Sequence, residues 1–348
     1  MIYFRVLLIG LIGTLSATAA WAAPAQQAFS DWQVTCNNQN FCVARNIGQH
    51  YGLVMTLSRS AGAHTDASLR IELGGLNAPL PKSPAISPRL IFEGQPLKFT
   101  SPRWRSDPLR VMTTDGAAVS AFLAQIQDGQ EITLSGGQQV ISLKGLKAAL
   151  LFIDDRQKRV GSQTAWIGKG NNPPLRVPPA PALKKVVAVN PTPTPLSHEE
   201  RTALMDYGNW KMSNIQCSLD PGRREVRIWA LTDNKALLAI SCEAGAYNTV
   251  DLAWLVSRRK PFTSSQIHLR LPFTPGSGEM DMELMNAGFD EKTRELTTLA
   301  KGRGMADCGI QTRWRFDGQR FSLVRYAEEP NCDNWQGPDA WPTLWITR

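Results

Sequence analysis

Apolar and polar residues alternate along much of the chain, which is the pattern of strands that bury one face. Trp32, Val34 and Cys36 are separated by single polar residues, as a half-buried strand requires. Short runs of the same type recur in the first half at 53–57, 69–73, 132–134 and 140–143. We therefore predict that the first half of the chain is rich in β-strands.

Two segments of the first half carry apolar residues at a helical spacing instead. One stripe follows Thr114 and Asp115, and the other follows Ser142. Their apolar positions are Val119, Phe122, Leu123 and Ile126, and Leu146, Ala149, Leu150 and Ile153. This spacing predicts two short helices whose apolar faces pack on the core.

The second half shows three pairs of alternating runs joined by turn-forming residues. The pairs are 226–231 with 236–240, 267–271 with 280–284, and 310–316 with 321–323. Turn residues between alternating runs predict β-hairpins. A copper site built from Met280, Met282, Met285, Met305 and His268 is a weaker alternative, because Met280 and Met282 fit the apolar face of a hairpin.

A proline-rich segment separates the two halves. Residues 171–197 contain Pro173, Pro174, Pro178, Pro179, Pro181, Pro191, Pro193 and Pro195. Proline lacks a backbone N–H and fixes φ, so this segment is predicted to be an extended linker, or alternatively a strap lying across both domains. The fold class is then α+β and mostly antiparallel β. Residues 23–170 form an N-terminal β-rich domain with two helices, and residues 198–348 form a C-terminal antiparallel β domain.

The first 22 residues have the features of a secretory signal peptide. Arg5 precedes an apolar run at 6–15, and Ala20, Trp21 and Ala22 form an A-x-A cleavage pattern. A membrane anchor is the alternative, but the run is shorter than the about 20 apolar residues that span a bilayer. We expect cleavage before Ala23 and a periplasmic mature protein without a transmembrane segment.

The cysteines agree with export. The chain contains six, an even number that indicates three disulfides in an oxidising compartment. Nearness in sequence favours the pairs Cys36–Cys42, Cys217–Cys242 and Cys308–Cys332 among the many connectivities. A metal–thiolate cluster is a weaker alternative, because no C-x-x-C occurs and the histidines lack ligand spacing. We expect no metal and no cofactor.

The net charge narrows the class of partner. The chain carries 38 Lys+Arg against 30 Asp+Glu, a net charge of +8 at pH 7, and the basic excess lies in residues 23–170 and in the linker. An exported protein does not meet nucleic acid. An anionic envelope component such as peptidoglycan or lipopolysaccharide, or an envelope protein, is the more reasonable partner.

No catalytic motif is complete. The patterns of serine hydrolases, P-loop proteins, zinc proteases and dinucleotide-binding proteins are missing. Ser257 and Lys260 match S-x-x-K, the acyl-enzyme pattern of penicillin-binding proteins, but no S-D-N or K-T-G motif accompanies it. The densest polar cluster spans 303–309, where Arg303 and Asp307 either lock the loop, form a small pocket for an anionic ligand, or form an acid–base pair. Trp335 and Trp341, in a turn-rich stretch, are candidates for stacking on sugar rings.

Several of these residues also carry a resemblance to a known family. They are Phe289-Asp290, Lys301-Gly302-Arg303-Gly304, Asp307-Cys308-Gly309, Phe316-Asp317-Gly318 and Trp341-Pro342-Thr343-Leu344-Trp345. They resemble the C-terminal signature of the exported proteobacterial family known as domain of unknown function 1176. The first part, with Asp31-Trp32-Gln33-Val34-Thr35-Cys36, is also similar to the invasion-associated locus B family. These resemblances imply a periplasmic location and disulfide-bonded cysteines, and they supply no catalytic residue.

The sequence thus favours a non-enzymatic binding or envelope-associated protein. Its candidate ligand-binding residues are Arg303, Asp307, Trp335 and Trp341. The alternative is a hydrolase of envelope glycans or esters with Arg303 and Asp307 in its pocket. A single aspartate without a second placed carboxylate is little evidence for hydrolysis.

Overall fold

The structure is a computed structural model that describes residues 23–64, 66–76, 85–187 and 192–348. The predicted signal peptide, residues 1–22, lies outside the described residues. Residues 23–170 are called the N-terminal half below, and residues 198–348 the C-terminal half. Within these described ranges the named strands pair in antiparallel fashion throughout, and three α-helices accompany them, which confirms the predicted fold class.

The described part of the N-terminal half contains two sheets and two helices. Its strands are β1 (Ala25–Phe29), β2 (Trp32–Cys36), β3 (Cys42–Asn46), β4 (Leu53–Arg59), β5 (Ala67–Leu73), β6 (Leu90–Phe92), β7 (Gln95–Pro96), β8 (Arg105–Ser106), β9 (Arg110–Thr113), β10 (Glu131–Leu134) and β11 (Val140–Ser142). The helices are α1 (Gly116–Ile126) and α2 (Leu146–Arg156). A seven-stranded sheet has the order β1-β2-β3-β4-β5-β9-β8, and a four-stranded sheet has the order β11-β10-β6-β7.

Both helices of this half form where the apolar stripes predict them. Every residue of the two stripes is buried, so the stripes face the core between the helices and the sheets. The carboxylate of Asp115 accepts a hydrogen bond from the Ala118 N–H at 2.7 Å and thereby caps α1. Trp32 is fully buried in the same core, and its indole N–H donates to the Ser142 carbonyl at 2.9 Å.

The C-terminal half consists of a helix followed by strands. These elements are α3 (His198–Asn214), β12 (Val226–Ala230), β13 (Lys235–Ala244), β14 (Thr249–Ser257), β15 (Ser264–Gln266), β16 (Leu269–Arg270), β17 (Asp281–Met282), β18 (Leu284–Met285), β19 (Gly288–Asp290), β20 (Glu295–Lys301), β21 (Gly309–Phe316), β22 (Phe321–Glu329) and β23 (Thr343–Ile346). One sheet has the order β12-β13-β14-β15, with β18 beside β14, and another has the order β19-β20-β21-β22-β23. The three predicted hairpins are confirmed as β12–β13, β16–β17 and β21–β22.

Helix α3 is an element that the sequence did not predict in this half, which was expected to be mainly antiparallel β. It has a capping box, in which the Glu200 N–H donates to the Ser197 hydroxyl and the Ser197 N–H donates to the Glu200 carboxylate. Two of its residues, Leu204 and Gly208, are buried where the helix packs against β12 and β13. Because most of the helix is polar, its sequence has no apolar stripe that would predict it.

The linker contacts both halves through its described residues. The Val186 N–H donates to the Arg348 carbonyl at 2.9 Å, and the Arg348 N–H donates to the Lys184 carbonyl at 2.8 Å. In the N-terminal half, the Gln39 side chain donates to the Pro181 carbonyl at 3.3 Å. The described part of the linker therefore lies along the protein, as in the strap alternative, instead of extending away from it.

Three disulfides join the pairs that nearness in sequence favoured. They link Cys36 to Cys42, Cys217 to Cys242 and Cys308 to Cys332, and no cysteine is left free. Each bond therefore stays within one half of the chain. Beside the third bond, Gly309 has a φ of +136°, and a Cβ at this position would meet the Ala300 carbonyl oxygen at 2.0 Å. Glycine is thus required where β21 begins.

The two halves meet directly along β2 and β23. The Asn38 side chain, just after β2, donates to the Ile346 carbonyl at 2.9 Å and accepts from the Ile346 N–H at 2.9 Å. The Asn38 N–H also donates to the Leu344 carbonyl at 3.1 Å. These bonds place the end of the chain against the seven-stranded sheet. Among the described residues, no helix has the length and apolar character needed to cross a membrane.

Candidate functional site

A cavity of about 370 Å³ lies where the two halves meet. One wall is the outer face of the seven-stranded sheet, and the other is formed by β22 and the segment 335–343 of the C-terminal half. We call this cavity the junction cleft. Its volume lies at the lower end of the range of about 300–1,000 Å³ that is typical of small-molecule sites.

The sheet wall of the cleft is polar for the same reason that the core is apolar. Side chains alternate between the two faces of a strand, so Gln33 and Thr35, on either side of Val34, point away from the core that buries Trp32 and Val34. Gln33, Thr35 and Thr56 line the cleft from this face, together with Arg70 on β5. The alternation that predicted the core therefore also produced this polar wall.

Three of the four predicted ligand-binding residues line the junction cleft. Asp307, Trp335 and Trp341 contribute to its wall, whereas Arg303 lies outside the lining and its side chain is 42% exposed. Trp335 and Trp341 are themselves mostly buried, at 7% and 3% exposure. The structure thus brings the two tryptophans together with Asp307 at one site.

Asp307 is held by the loop around it. It is fully buried, and both of its oxygens accept hydrogen bonds from the Arg303 guanidinium, while Oδ2 also accepts from the Asn334 N–H at 2.6 Å. These bonds to Arg303 hold the pKa of Asp307 below its ordinary value, although burial acts in the opposite direction. Asp307 is therefore an ionised structural group that fixes the segment carrying Trp335.

A second buried ion cluster joins the two halves at the base of the cleft. Arg45, on β3, lies 2.9 Å from Glu329 and 2.5 Å from Asp333, both in the C-terminal half. His50 accepts the Gly52 N–H at Nδ1 and places Nε2 3.4 Å from Asp333. Burial would raise the pKa of Asp333, but the nearby His50 imidazole and the Arg45 guanidinium lower it.

The carboxylates of this cluster have little capacity left for a ligand. Besides Arg45, Glu329 accepts the backbone and side-chain N–H groups of Asn331, and Asp333 accepts the Trp335 N–H at 3.2 Å. Asp333 therefore fixes the backbone of Trp335 through this hydrogen bond. The His50 ring packs edge-on against Trp335 with centroids 6.1 Å apart, which supports the indole from another side.

Arg325 is the arginine of the cleft for which no carboxylate within 4 Å is found among the described residues. Its guanidinium donates to the Gln311 side chain and to the Trp341 carbonyl, at 3.3 Å for the latter. Burial lowers the pKa of Arg325, and the charge of Arg313 lowers it further, whereas the charge of Asp339 raises it. Arg313 lies directly opposite Arg325 on the neighbouring strand β21. Two like charges in this position repel each other.

The groups that remain unused in the cleft are mainly hydrogen-bond donors. Arg325 uses two of the five N–H groups that a guanidinium carries. Arg70 is 38% exposed, and its Nε lies 3.7 Å from the Glu72 carboxylate, which is too long for a hydrogen bond. The Trp335 indole N–H is buried without an acceptor among the described residues. Because the buried carboxylates are occupied and three N–H groups of Arg325 are not, the cleft can donate to a ligand rich in acceptors or negatively charged. Asp339 also lines the cleft, with its carboxylate turned mostly to solvent.

Reasoning from the sequence did not find Arg325, Arg70, Arg45, Asp333 and His50. The alternation of 310–316 placed Arg313 and Arg315 on one face of a strand, which was a signal for a polar sheet face. It contained no information on what lies opposite that face. His50 and Asp333 are far apart in the sequence, so only the fold brings them together.

Comparison with known proteins identifies the family. Residues 26–348 match the model of the family described as "Protein of unknown function (DUF1176)", and the chain therefore belongs to that family. Over 345 residues it is 67% identical to the uncharacterized protein YpfG of Escherichia coli (strain K12), with 99% of each chain covered. No solved structure was found to match the chain. The resemblance in the C-terminal signature is thereby confirmed at the level of the family, and no activity comes with it.

Proposed function

We propose that this protein is exported to the periplasm and acts there as a non-enzymatic binding protein for an anionic component of the cell envelope. The observation that carries the proposal is the junction cleft, whose buried carboxylates Asp307, Glu329 and Asp333 are occupied internally. Arg325 in the same cleft uses two of its five N–H groups and has no carboxylate within 4 Å among the described residues. Peptidoglycan and lipopolysaccharide, the partners expected from the net charge, both carry sugar rings with acidic groups.

Export is supported by the cysteines and by the place where the fold begins. All six cysteines form disulfides, which persist in oxidising compartments such as the periplasm. Strand β1 starts at Ala25, two residues after the proposed cleavage site, and pairs with β2 along its whole length. Cleavage before Ala23 would therefore leave the sheet intact. The similarity of the first part to the invasion-associated locus B family stays a prediction.

The hydrolase alternative is less well supported by the geometry. It assigned Asp307 to a pocket as an acid or base, and a catalytic acid needs a pKa raised toward the working pH. The hydrogen bonds from Arg303 lower the pKa of Asp307 instead. Its two oxygens are occupied by Arg303 and the Asn334 N–H. These contacts suit a structural role.

Calorimetric titration of the mature protein with soluble peptidoglycan fragments and with lipopolysaccharide tests the proposal. Binding by the wild type is expected to weaken in Arg325→Gln. The matched control is Arg320→Gln, because Arg320 lies in the turn of the same hairpin, is 78% exposed and does not line the cleft. If neither envelope material binds, or if both variants bind as the wild type does, the proposal is wrong.

A further inference from the structure

The strongest unexplained feature of the junction cleft is the charge of Arg325. The side chain is partly buried, faces the like charge of Arg313 across the strand pair, and has no carboxylate within 4 Å among the described residues. Arg313 itself lies 3.6 Å from Asp339, whose side chain is 91% exposed. The exposed Asp339 carboxylate acts on Arg325 only from beyond 4 Å, so this partly buried cation lacks an anion in direct contact, and an anionic group entering the cleft would complete the arrangement.

The two indole rings beside Arg325 are fixed in place. The Trp341 carbonyl accepts from Arg325, and the Trp341 indole N–H donates to the Gln336 carbonyl at 3.1 Å. Trp335 is held by Asp333 and by the His50 ring. Rigid aromatic rings of this kind offer apolar surface at a low entropic cost.

The opposite wall carries neutral polar groups that suit a ligand with hydroxyls. Gln33, Thr35 and Thr56 lie on it, and each offers both donors and acceptors. Thr35 already accepts a hydrogen bond from Gln26 at 2.9 Å, which leaves its own hydroxyl hydrogen for another acceptor. An apolar ring face on one side and exchangeable polar groups on the other are the two surfaces that a pyranose needs.

Resting on the function proposed above, we infer that the ligand of the junction cleft is a sugar that carries an acidic group. The sugar ring lies between the Trp335 and Trp341 segment and the polar wall of the sheet. The acidic group, a carboxylate or a phosphate, accepts hydrogen bonds from Arg325. Arg70, on the opposite wall, supplies a second positive charge. The volume of about 370 Å³ suits a short saccharide unit of a polymer and not a long stretch of it.

The test compares four small probes by ligand-observed NMR and calorimetry on the mature protein. Glucuronate and glucose 6-phosphate carry the ring and the acid, glucose carries only the ring, and inorganic phosphate carries only the acid. We expect at least one acidic sugar to bind at least tenfold more tightly than glucose and than inorganic phosphate. The comparison of glucuronate with glucose 6-phosphate distinguishes a carboxylate from a phosphate as the recognised group.

Variants then assign the binding to Arg325. Arg325→Gln is expected to reduce the affinity for the better acidic sugar at least tenfold, because a hydrogen bond to a charged group is lost. Arg325→Lys keeps the positive charge but lacks the planar guanidinium, so its affinity for the acidic sugar should lie between those of Arg325→Gln and the wild type. Arg320→Gln should bind the sugar as the wild type does. Circular dichroism of each variant verifies that the fold is retained.

The outcomes separate this inference from the proposed function. If glucose binds as tightly as the acidic sugars, or if inorganic phosphate alone binds as tightly, the inference is wrong. It is also wrong if Arg325→Lys and Arg325→Gln both leave the acidic sugar's affinity unchanged. In these cases the proposed function still stands if the wild type binds peptidoglycan fragments or lipopolysaccharide and if Arg325→Gln loses that binding. If no envelope material binds, both are wrong.

Discussion

Replacement of Arg45 by methionine tests how strongly the two halves of the chain are coupled. Arg45 is 8% exposed and neutralises both Glu329 and Asp333 across the junction. Arg45→Met keeps the apolar stem of the side chain and removes the cation, so two buried carboxylates lose their counter-ion. Removing one partner from a buried ion pair typically costs about 3–5 kcal/mol, because the remaining charge is left uncompensated.

Arg70→Met is the matched control for this prediction. Arg70 lies on the same face of the same sheet, and Thr56 pairs with both residues on its two neighbouring strands. Its side chain is 38% exposed, and its nearest carboxylate oxygen, on Glu72, is 3.7 Å away. An exposed pair of this kind contributes about 0–1 kcal/mol.

The measurement is the free energy of unfolding from urea titrations of the wild type and the two variants. We expect the loss in Arg45→Met to exceed the loss in Arg70→Met by about 2 kcal/mol or more. Adding Glu329→Gln to Arg45→Met should recover part of the loss, since it removes one uncompensated charge. Equal and small losses in both single variants would refute the argument that this ion cluster holds the junction.

Three further predictions concern stability. Cys308→Ala with Cys332→Ala should cost about 3.5 kcal/mol by the chain-entropy model, because the bond closes a loop with a sequence separation of 24; an unchanged urea midpoint under oxidising conditions would contradict this. The pKa of Asp333 is lowered in the folded state, so the ionised carboxylate stabilises the fold above about pH 4, and this stabilisation is lost as the pH falls through the folded-state pKa. In acid titrations the free energy of unfolding should therefore fall less steeply in Asp333→Asn than in the wild type. Equal slopes in the two proteins would contradict this prediction. Ser197→Ala removes the capping box of α3 and should cost about 1 kcal/mol in thermal unfolding, whereas no loss would show that the box is not needed.

Elements with a strong periodic pattern could be predicted from the sequence. Helices α1 and α2 have complete apolar stripes that are buried in the structure, and the β21–β22 hairpin has alternating residues around Asp317 and Gly318. Helix α3 has no such stripe, because it lies on the sheet with few covered residues. Ser197 and Glu200, spaced as in a capping box, were the local signal that would have predicted its start.

The junction could not be predicted, because the contacts that form it are distant in the sequence. The hydrogen bonds of Asn38 to Ile346 join residues 308 positions apart. Nothing in the local pattern of either residue indicates that partner. The same reason explains the candidate site. Trp335 and Trp341 could be selected by their chemistry, whereas Arg325 becomes a candidate only when the structure shows that no carboxylate is beside it among the described residues.

Hydrogen–deuterium exchange tests most directly whether the junction cleft is the binding site. The mature protein would be measured alone and with a saturating mixture of soluble peptidoglycan fragments. We expect slower exchange in the segment 335–343, in β22 and in the facing strands β4 and β5, and unchanged exchange in α3. Protection confined to α3 or to another surface, or no protection anywhere, would contradict the account.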